Sequence, residues 1–269
     1  MLVTDAQVHV WERSTGVPPA WSVMHRDELT ADQLLAVMAD AGVDRAVLVP
    51  PAFERDRHRN RTCLAAAVAH PDRFAVMGRL DLTAPADLDG WCDQPGMLGI
   101  RLSFSRGAAT RQLHDGTADW FWPRAEAAGI PLSVFAPSLL GPLDAVAGRH
   151  PRLRLTVDHC GLGIGATEVG PVIDELVGLA RHENVAVKAS CLPSNATDGY
   201  PFRSLYDHIH RVVDAFGPRR VFWGSDLTRL PCGYARARSH FTDELDFLDG
   251  EELEWVMGRG IAEWLGWPS

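Results

Sequence analysis

Three residues far apart in the chain, His9, His159 and Asp226, carry imidazole and carboxylate groups that can exchange protons with a substrate or bind a divalent metal. Each stands at the end of an apolar run: Asp5-Ala-Gln7-Val-His9-Val-Trp11, Val157-Asp158-His159-Cys160-Gly161 and Phe222-Trp223-Gly224-Ser225-Asp226. Arg101 ends another run, Gly99-Ile100-Arg101-Leu102, and Lys188 and Ser190 end a fifth. In a strand, residues two apart share a face, so Asp5, Gln7 and His9 are expected to form one row. A single histidine at a strand end is ordinarily a hydrogen-bonded structural residue. An aspartate after Gly-Ser is ordinarily a turn or cap residue. Lys188 and Arg101 can each serve as half of a structural ion pair, with Asp158 or Asp226 as the partner. The coincidence of His9, His159 and Asp226 at one level of a common architecture favours function, because buried ionisable groups are costly unless they pair, bind metal or react.

The elements that would position these groups alternate along the chain. Short apolar runs at residues 3–10, 45–49, 74–80, 97–102, 131–135, 154–158, 184–189 and 220–223 read as eight strands. They are nearly continuous in apolar character, as in a parallel sheet covered on both faces. Helical periodicity fills the spaces between them. Thr30 and Gln33 form a capping box ahead of Leu34, Leu35 and Met38, and Gly42 stops that helix. Further helices are expected over 61–69, 119–128 (with Asp119 as the cap), 139–149, 169–182, 204–216 and 251–265, and a short one over 85–93. Repeated strand–helix alternation gives parallel strands with right-handed crossovers, and eight units favour closure into a single (β/α)8 TIM barrel over the whole 269-residue chain. Barrel enzymes place their sites at the C-terminal ends of the strands. The longer loops after the first, fourth and seventh strands, 11–28, 104–115 and 192–201, are therefore expected to set specificity.

Composition narrows the partners. A net charge of −9 argues against nucleic acid or an anionic membrane surface, since both demand a basic face. No apolar stretch approaches the roughly 20 residues of a membrane span. The five cysteines form no CxxC pair, so neither a disulfide framework nor a zinc knuckle is expected. With no basic–apolar leader at the N-terminus, the expectation is a cytoplasmic protein acting on a small molecule, compatible with a homodimer.

The motifs Asp-Ala-Gln-Val-His-Val-Trp, Val-Asp-His-Cys-Gly, Val-Lys-Ala-Ser and Trp-Gly-Ser-Asp, in that order, resemble the amidohydrolase-2 group of the amidohydrolase superfamily, and within it the lactonase branch of sugar lactonases and 2-pyrone-4,6-dicarboxylate lactonase. The resemblance spans the chain from Asp5 to the final helix. It implies that Asp226 is a general base toward water, that His159 orients or polarises the scissile carbonyl, and that His9 is the second histidine of a His-x-His pair. It also implies that Arg101 anchors a substrate carboxylate. Gln7, Lys188, Ser190 and Trp11 complete the candidate substrate-binding set. Three departures bear on metal. Gln7 stands at the first histidine of His-x-His, Phe135 lies in the fifth strand where metal-dependent members offer a histidine, and Gly260 replaces a common Asn. An amide oxygen is a poor ligand for a transition metal. The expected function is hydrolysis of a lactone or similarly activated ester by Asp-activated water without a tightly bound metal. Two alternatives stand beside it. One is a Zn2+- or Mn2+-dependent decarboxylase or hydrolase holding its ion on His9, His159 and Asp226. The other is a non-catalytic binder, in which Lys188 or Arg101 would tie up Asp226.

Overall fold

Eight parallel strands run in chain order around a nearly closed barrel in the computed structural model, which describes residues 1–12, 28–52 and 60–268. The strands are β1 (Thr4–Val8), β2 (Arg45–Leu48), β3 (Phe74–Arg79), β4 (Met97–Ser103), β5 (Leu132–Phe135), β6 (Leu155–Val157), β7 (Val185–Ser190) and β8 (Val221–Gly224). Each falls within a residue or two of its sequence expectation. Ala6, Val47, Ala75, Met77, Ala186 and Phe222 form an inner apolar cluster, closed at the N-terminal end by Ile261, Leu265 and Trp267. Alternate residues, among them Leu48, Val76, Leu102, Val134 and Val157, join the larger core beneath the helices, as does Val8 beyond the register shift in β1.

The helices are α1 (Ala31–Ala41), α2 (Arg61–Ala69), α3 (Phe121–Ala127), α4 (Leu140–Arg149), α5 (Val169–Gly178), α6 (Tyr206–Phe216), α7 (Tyr234–Thr242), α8 (Gly250–Glu254) and α9 (Gly260–Leu265). The Thr30–Gln33 capping box forms as expected. Four expectations are corrected. Asp119 does not cap α3, which begins after Trp120 without a side-chain cap bond. The segment 85–93 is not a helix except for one tight turn at Trp91–Asp93. There Asp87 accepts the backbone N–H of Asp89, and Asp81 does the same for Thr83, closing local turns that compete with helix. The C-terminal helix is broken by a wide turn, Trp255–Arg259, because the backbone of Gly258 lies against β1: a Cβ there would come within 2.3 Å of the Leu2 carbonyl oxygen. Finally, α7 is a helix that the apolar pattern did not announce. Its buried face is Tyr234, Ala237, His240 and Phe241, so half of it is polar by type.

His240 is fully buried against the rings of Phe202, Tyr206 and Phe241. Burial brings its imidazole down to about 4, with the Asp198 charge opposing. A base depressed in the folded state stabilises fully above its unfolded pKa, and that contribution is lost as pH falls through the folded value. Between pH 7 and 4 the unfolded chain therefore gains a proton that the fold resists, costing about 3 kcal/mol. Urea midpoints of the wild type and His240→Phe at pH 7 and pH 4 should show the variant losing about 3 kcal/mol less over that interval. Equal losses would assign the acid sensitivity elsewhere.

Between β1 and β8 a side chain does the work of a ladder. Asp226 N donates to the Gln7 carbonyl at 2.9 Å. The Asp5 carboxylate accepts the backbone N–H groups of Gln7 (2.9 Å) and Ser225 (2.8 Å), the Tyr234 hydroxyl (2.6 Å) and the Ser225 hydroxyl. Burial raises the Asp5 carboxyl to about 6, although these four bonds oppose the rise. Asp5 thus does not share a row with Gln7 and His9. The β1–β2 register shifts between Asp5 and Val8, and this bulge separates Asp5 from the residues facing the barrel axis.

Candidate active site

The left-handed backbone conformation of four residues at three strand ends shapes the C-terminal mouth. His159 (φ 55), Cys160 (φ 53), Cys191 (φ 59) and Asp226 (φ 48) all adopt it, although none is glycine. Each such residue costs on the order of 1–3 kcal/mol, and structures retain such strain mainly where it aims a functional group. At β6 the effect is specific. In a regular strand Asp158 and His159 would face opposite sides. The turn at His159 brings both to the barrel interior, Asp158 below and His159 at the mouth.

His9, His159 and Asp226 meet there. His9 Nε2 lies 3.2 Å from Asp226 Oδ1, and His159 Nε2 lies 3.6 Å from Asp226 Oδ2. His9 Nδ1 donates to the Val49 carbonyl at 2.6 Å, and His159 Nδ1 is bonded to the Ser190 hydroxyl at 2.8 Å. All three line a cavity of about 290 Å³ with Arg101, Arg106, Arg229 and Phe135. Asp226 and His159 are each only 2% exposed. Burial acts to raise Asp226, but the His9 contact and the charges of His9, His159 and Arg229 outweigh it and hold the carboxyl at about 2. Burial pushes His159 down, against the pull of the Asp226 and Asp158 charges. Asp226 is therefore a fixed anion, and His159 favours its neutral ring.

A second layer lies beneath. Asp158 binds Lys188 Nζ through one oxygen and Arg101 Nε through the other, both at 3.1 Å, and Lys188 also donates to Gln7 Oε1 at 2.9 Å. Lys188, Gln7 and Asp158 are fully buried. Burial would raise Asp158, yet the Lys188 and Arg101 charges keep it below the usual carboxylate range. Neither cation ties up Asp226.

Of the candidate substrate-binding residues, Arg101 lines the cavity. Gln7, Lys188 and Ser190 do not; they support the layer that does. Trp11 is corrected outright. It is fully buried in the core between sheet and helices and pairs with Leu29 through backbone hydrogen bonds, because its position in the bridge beyond β1 turns it outward. Most of the 11–28 loop expected to set specificity, residues 13–27, lies outside the described residues. Sequence reasoning passed over Arg229, three residues beyond Asp226, and reached Arg106 only as part of the 104–115 loop; both line the cavity. The strand-end position of Asp226 was the available signal for Arg229. Two larger hollows, of about 450 and 690 Å³, open at the opposite end of the barrel, away from the strand ends that carry these groups.

The donor set does not match a metal centre. In the alternative metal-dependent reading His9, His159 and Asp226 would hold the ion; here the two imidazoles face different oxygens of Asp226 and pair with it. Gln7 offers an amide oxygen already taken by an ammonium, and Phe135 packs its ring against His159 at 5.1 Å. Among the described residues no group of three or more His, Cys, Asp or Glu side chains is arranged to hold an ion.

The family model described as amidohydrolase matches residues 4–267. The chain belongs to the amidohydrolase family. It is a hydrolase of that family. Among amidohydrolase relatives, an L-fucono-1,5-lactonase from Burkholderia ambifaria is 29% identical, covering 89% of this chain and 83% of that protein. A Burkholderia multivorans amidohydrolase with bound zinc superposes with a TM-score of 0.83 at 20% identity, each chain fully covered. A probable 2-pyrone-4,6-dicarboxylic acid hydrolase from Acinetobacter baumannii, with citric acid bound, superposes at 0.78 with 18% identity, covering 99% of this chain and 100% of its own. Likeness at these identities establishes the barrel. Among the described residues no helix is long and apolar enough to cross a membrane.

Proposed function

We propose that this amidohydrolase opens a small-molecule lactone, or a similarly activated ester, with Asp226 as the base toward water and without a resident metal. The observation that carries the reading is the convergence of Asp226, His159 and His9 on one sheltered cavity. Water attacks the carbonyl carbon and its proton passes to Asp226. His159 holds the carbonyl oxygen as negative charge develops, and His9 fixes the carboxylate's orientation. As the tetrahedral intermediate collapses, the ring C–O bond breaks and Asp226 returns the proton to the leaving oxygen. The product is one hydroxy acid, which ionises and releases a proton.

The acidity of Asp226 selects the substrate. A carboxyl at about 2 is ionised at neutral pH and a weak base, which favours an electrophilic carbonyl. A strained or vinylogous lactone meets that demand and an unactivated amide does not. The lactonase named among the relatives supports the same class. Arg101, Arg106 and Arg229 line the cavity with Asp226 as its lone carboxylate among the described lining residues, which favours a substrate bearing a carboxylate or another anionic group.

The test is a pH-indicator assay of the purified protein against 1,4- and 1,5-sugar lactones and 2-pyrone-4,6-dicarboxylate, with metal content measured in parallel. The expected result is proton release from at least one lactone, with rates unchanged by chelator and substoichiometric zinc and manganese. Activity abolished by chelation and restored by one equivalent of metal would overturn the metal-free reading. Tight lactone binding without turnover would overturn the enzymatic one.

A further inference from the structure

His159 has two nitrogens, and only one of them faces the cavity chemistry. Nε2 lies toward the ionised Asp226 carboxylate, with Oδ2 at 3.6 Å. A bare nitrogen lone pair held against a carboxylate is repulsive, so the proton belongs on Nε2. Nδ1 is then an acceptor and requires a donor. That donor is on β7. Ser190 Oγ is 2.8 Å from Nδ1, is 1% exposed, and has no other hydrogen-bond partner among the described residues. A buried hydroxyl that merely accepted from Nδ1 would leave its own hydrogen without an acceptor, at a cost of about 1–3 kcal/mol. Both lines of accounting give the same direction, from Ser190 O–H to Nδ1.

We infer that Ser190 is a positioning residue that locks His159 in the tautomer with its proton on Nε2, making His159 a donor to the substrate carbonyl. The assignment deepens the proposed lactone-opening mechanism and rests on it for its kinetic consequence, though not for the tautomer itself. Ser190, His159 and Asp226 form a serine–histidine–carboxylate chain in outline. Ser190 is closed off from the cavity, and its Oγ binds the imidazole on the side away from Asp226. It is therefore no nucleophile, and no acyl-enzyme is formed on it. Its own placement is tightly constrained. A Cβ at Gly224, on the neighbouring β8, would lie 3.0 Å from the Ser190 Cβ and 3.2 Å from Gln7 N, so glycine there makes room for the hydroxyl-bearing side chain.

The direct measurement is nitrogen-15 NMR of the imidazoles in the wild-type protein, with the His159 signals assigned by their loss in His159→Gln. The expected spectrum has Nε2 protonated and Nδ1 bare and hydrogen-bonded. A protonated Nδ1 with a bare Nε2 would overturn the assignment whether or not any lactone is turned over. The kinetic arm compares Ser190→Ala with Ser190→Thr, which keeps the hydroxyl. With a lactone substrate, Ser190→Ala should lower kcat about tenfold or more, with KM within about twofold, since the loss falls on transition-state charge. Ser190→Thr should recover most of the rate. Unchanged kcat in a folded Ser190→Ala variant, or equal losses in both variants with the His159 signals unmoved, would overturn the positioning role.

Discussion

Asp226→Asn should lower kcat by about 10²–10⁴-fold with KM little changed, the range expected when a general base is removed. Asparagine is nearly isosteric, so it can keep the 3.2 and 3.6 Å approaches of His9 and His159, but it cannot take a proton. The change is therefore chemical before it is structural. A stability change accompanies it. Asp226 stands at about 2 in the fold against 3.8 unperturbed, so its ionised form favours folding by roughly 2 kcal/mol at neutral pH. For an acid lowered in the folded state, that contribution is present above the unfolded pKa and is lost as pH falls from about 4 toward 2. Thermal unfolding at pH 7 separates the two effects. A folded variant with kcat within tenfold of wild type would remove Asp226 from the role of base.

Lys188→Met should destabilise the protein by about 3–5 kcal/mol, the range for breaking a buried ion pair by removing one partner. Lys188 is fully buried, and its ammonium is bonded to both Asp158 and Gln7. Burial alone pushes the lysine down, and the Asp158 charge opposes that shift. With the cation gone, Asp158 keeps only Arg101, and the Gln7 amide oxygen loses its donor. Methionine fills similar volume, so the loss would measure charge, not space. The double variant Lys188→Met/Asp158→Asn removes the stranded charge and should regain more than half of the loss. Urea unfolding at pH 7 reads both. A single-variant loss below about 1 kcal/mol would show the Lys188–Asp158 pair to be energetically neutral.

These two residues mark how the site is built. Asp226 faces the cavity, and Lys188 holds the layer that fixes Arg101 and Gln7. In the sequence both look alike, as single ionisable residues at the ends of apolar strands. Only burial and partners distinguish them.

The sequence by itself determined the barrel and the level at which His9, His159 and Asp226 stand in it. Strand–helix alternation is a local property, written in the period of apolar residues and in caps such as Thr30–Gln33. Residues at strand ends inherit their level from that alternation, so His9, His159 and Asp226 could be placed together without coordinates. Tertiary structure decided which way each side chain points and what it touches. The left-handed turns at His159 and Asp226 and the bulge after Asp5 override the two-residue alternation on which strand reading depends. Hence Asp158 and His159 face the same interior, Asp5 leaves its row to seal the seam, and Trp11 turns into the core. Likewise α7 stayed hidden because a buried tyrosine and histidine do apolar work on its inner face. Such conformations are imposed by contacts between segments remote in sequence, and no local pattern of residue types encodes them.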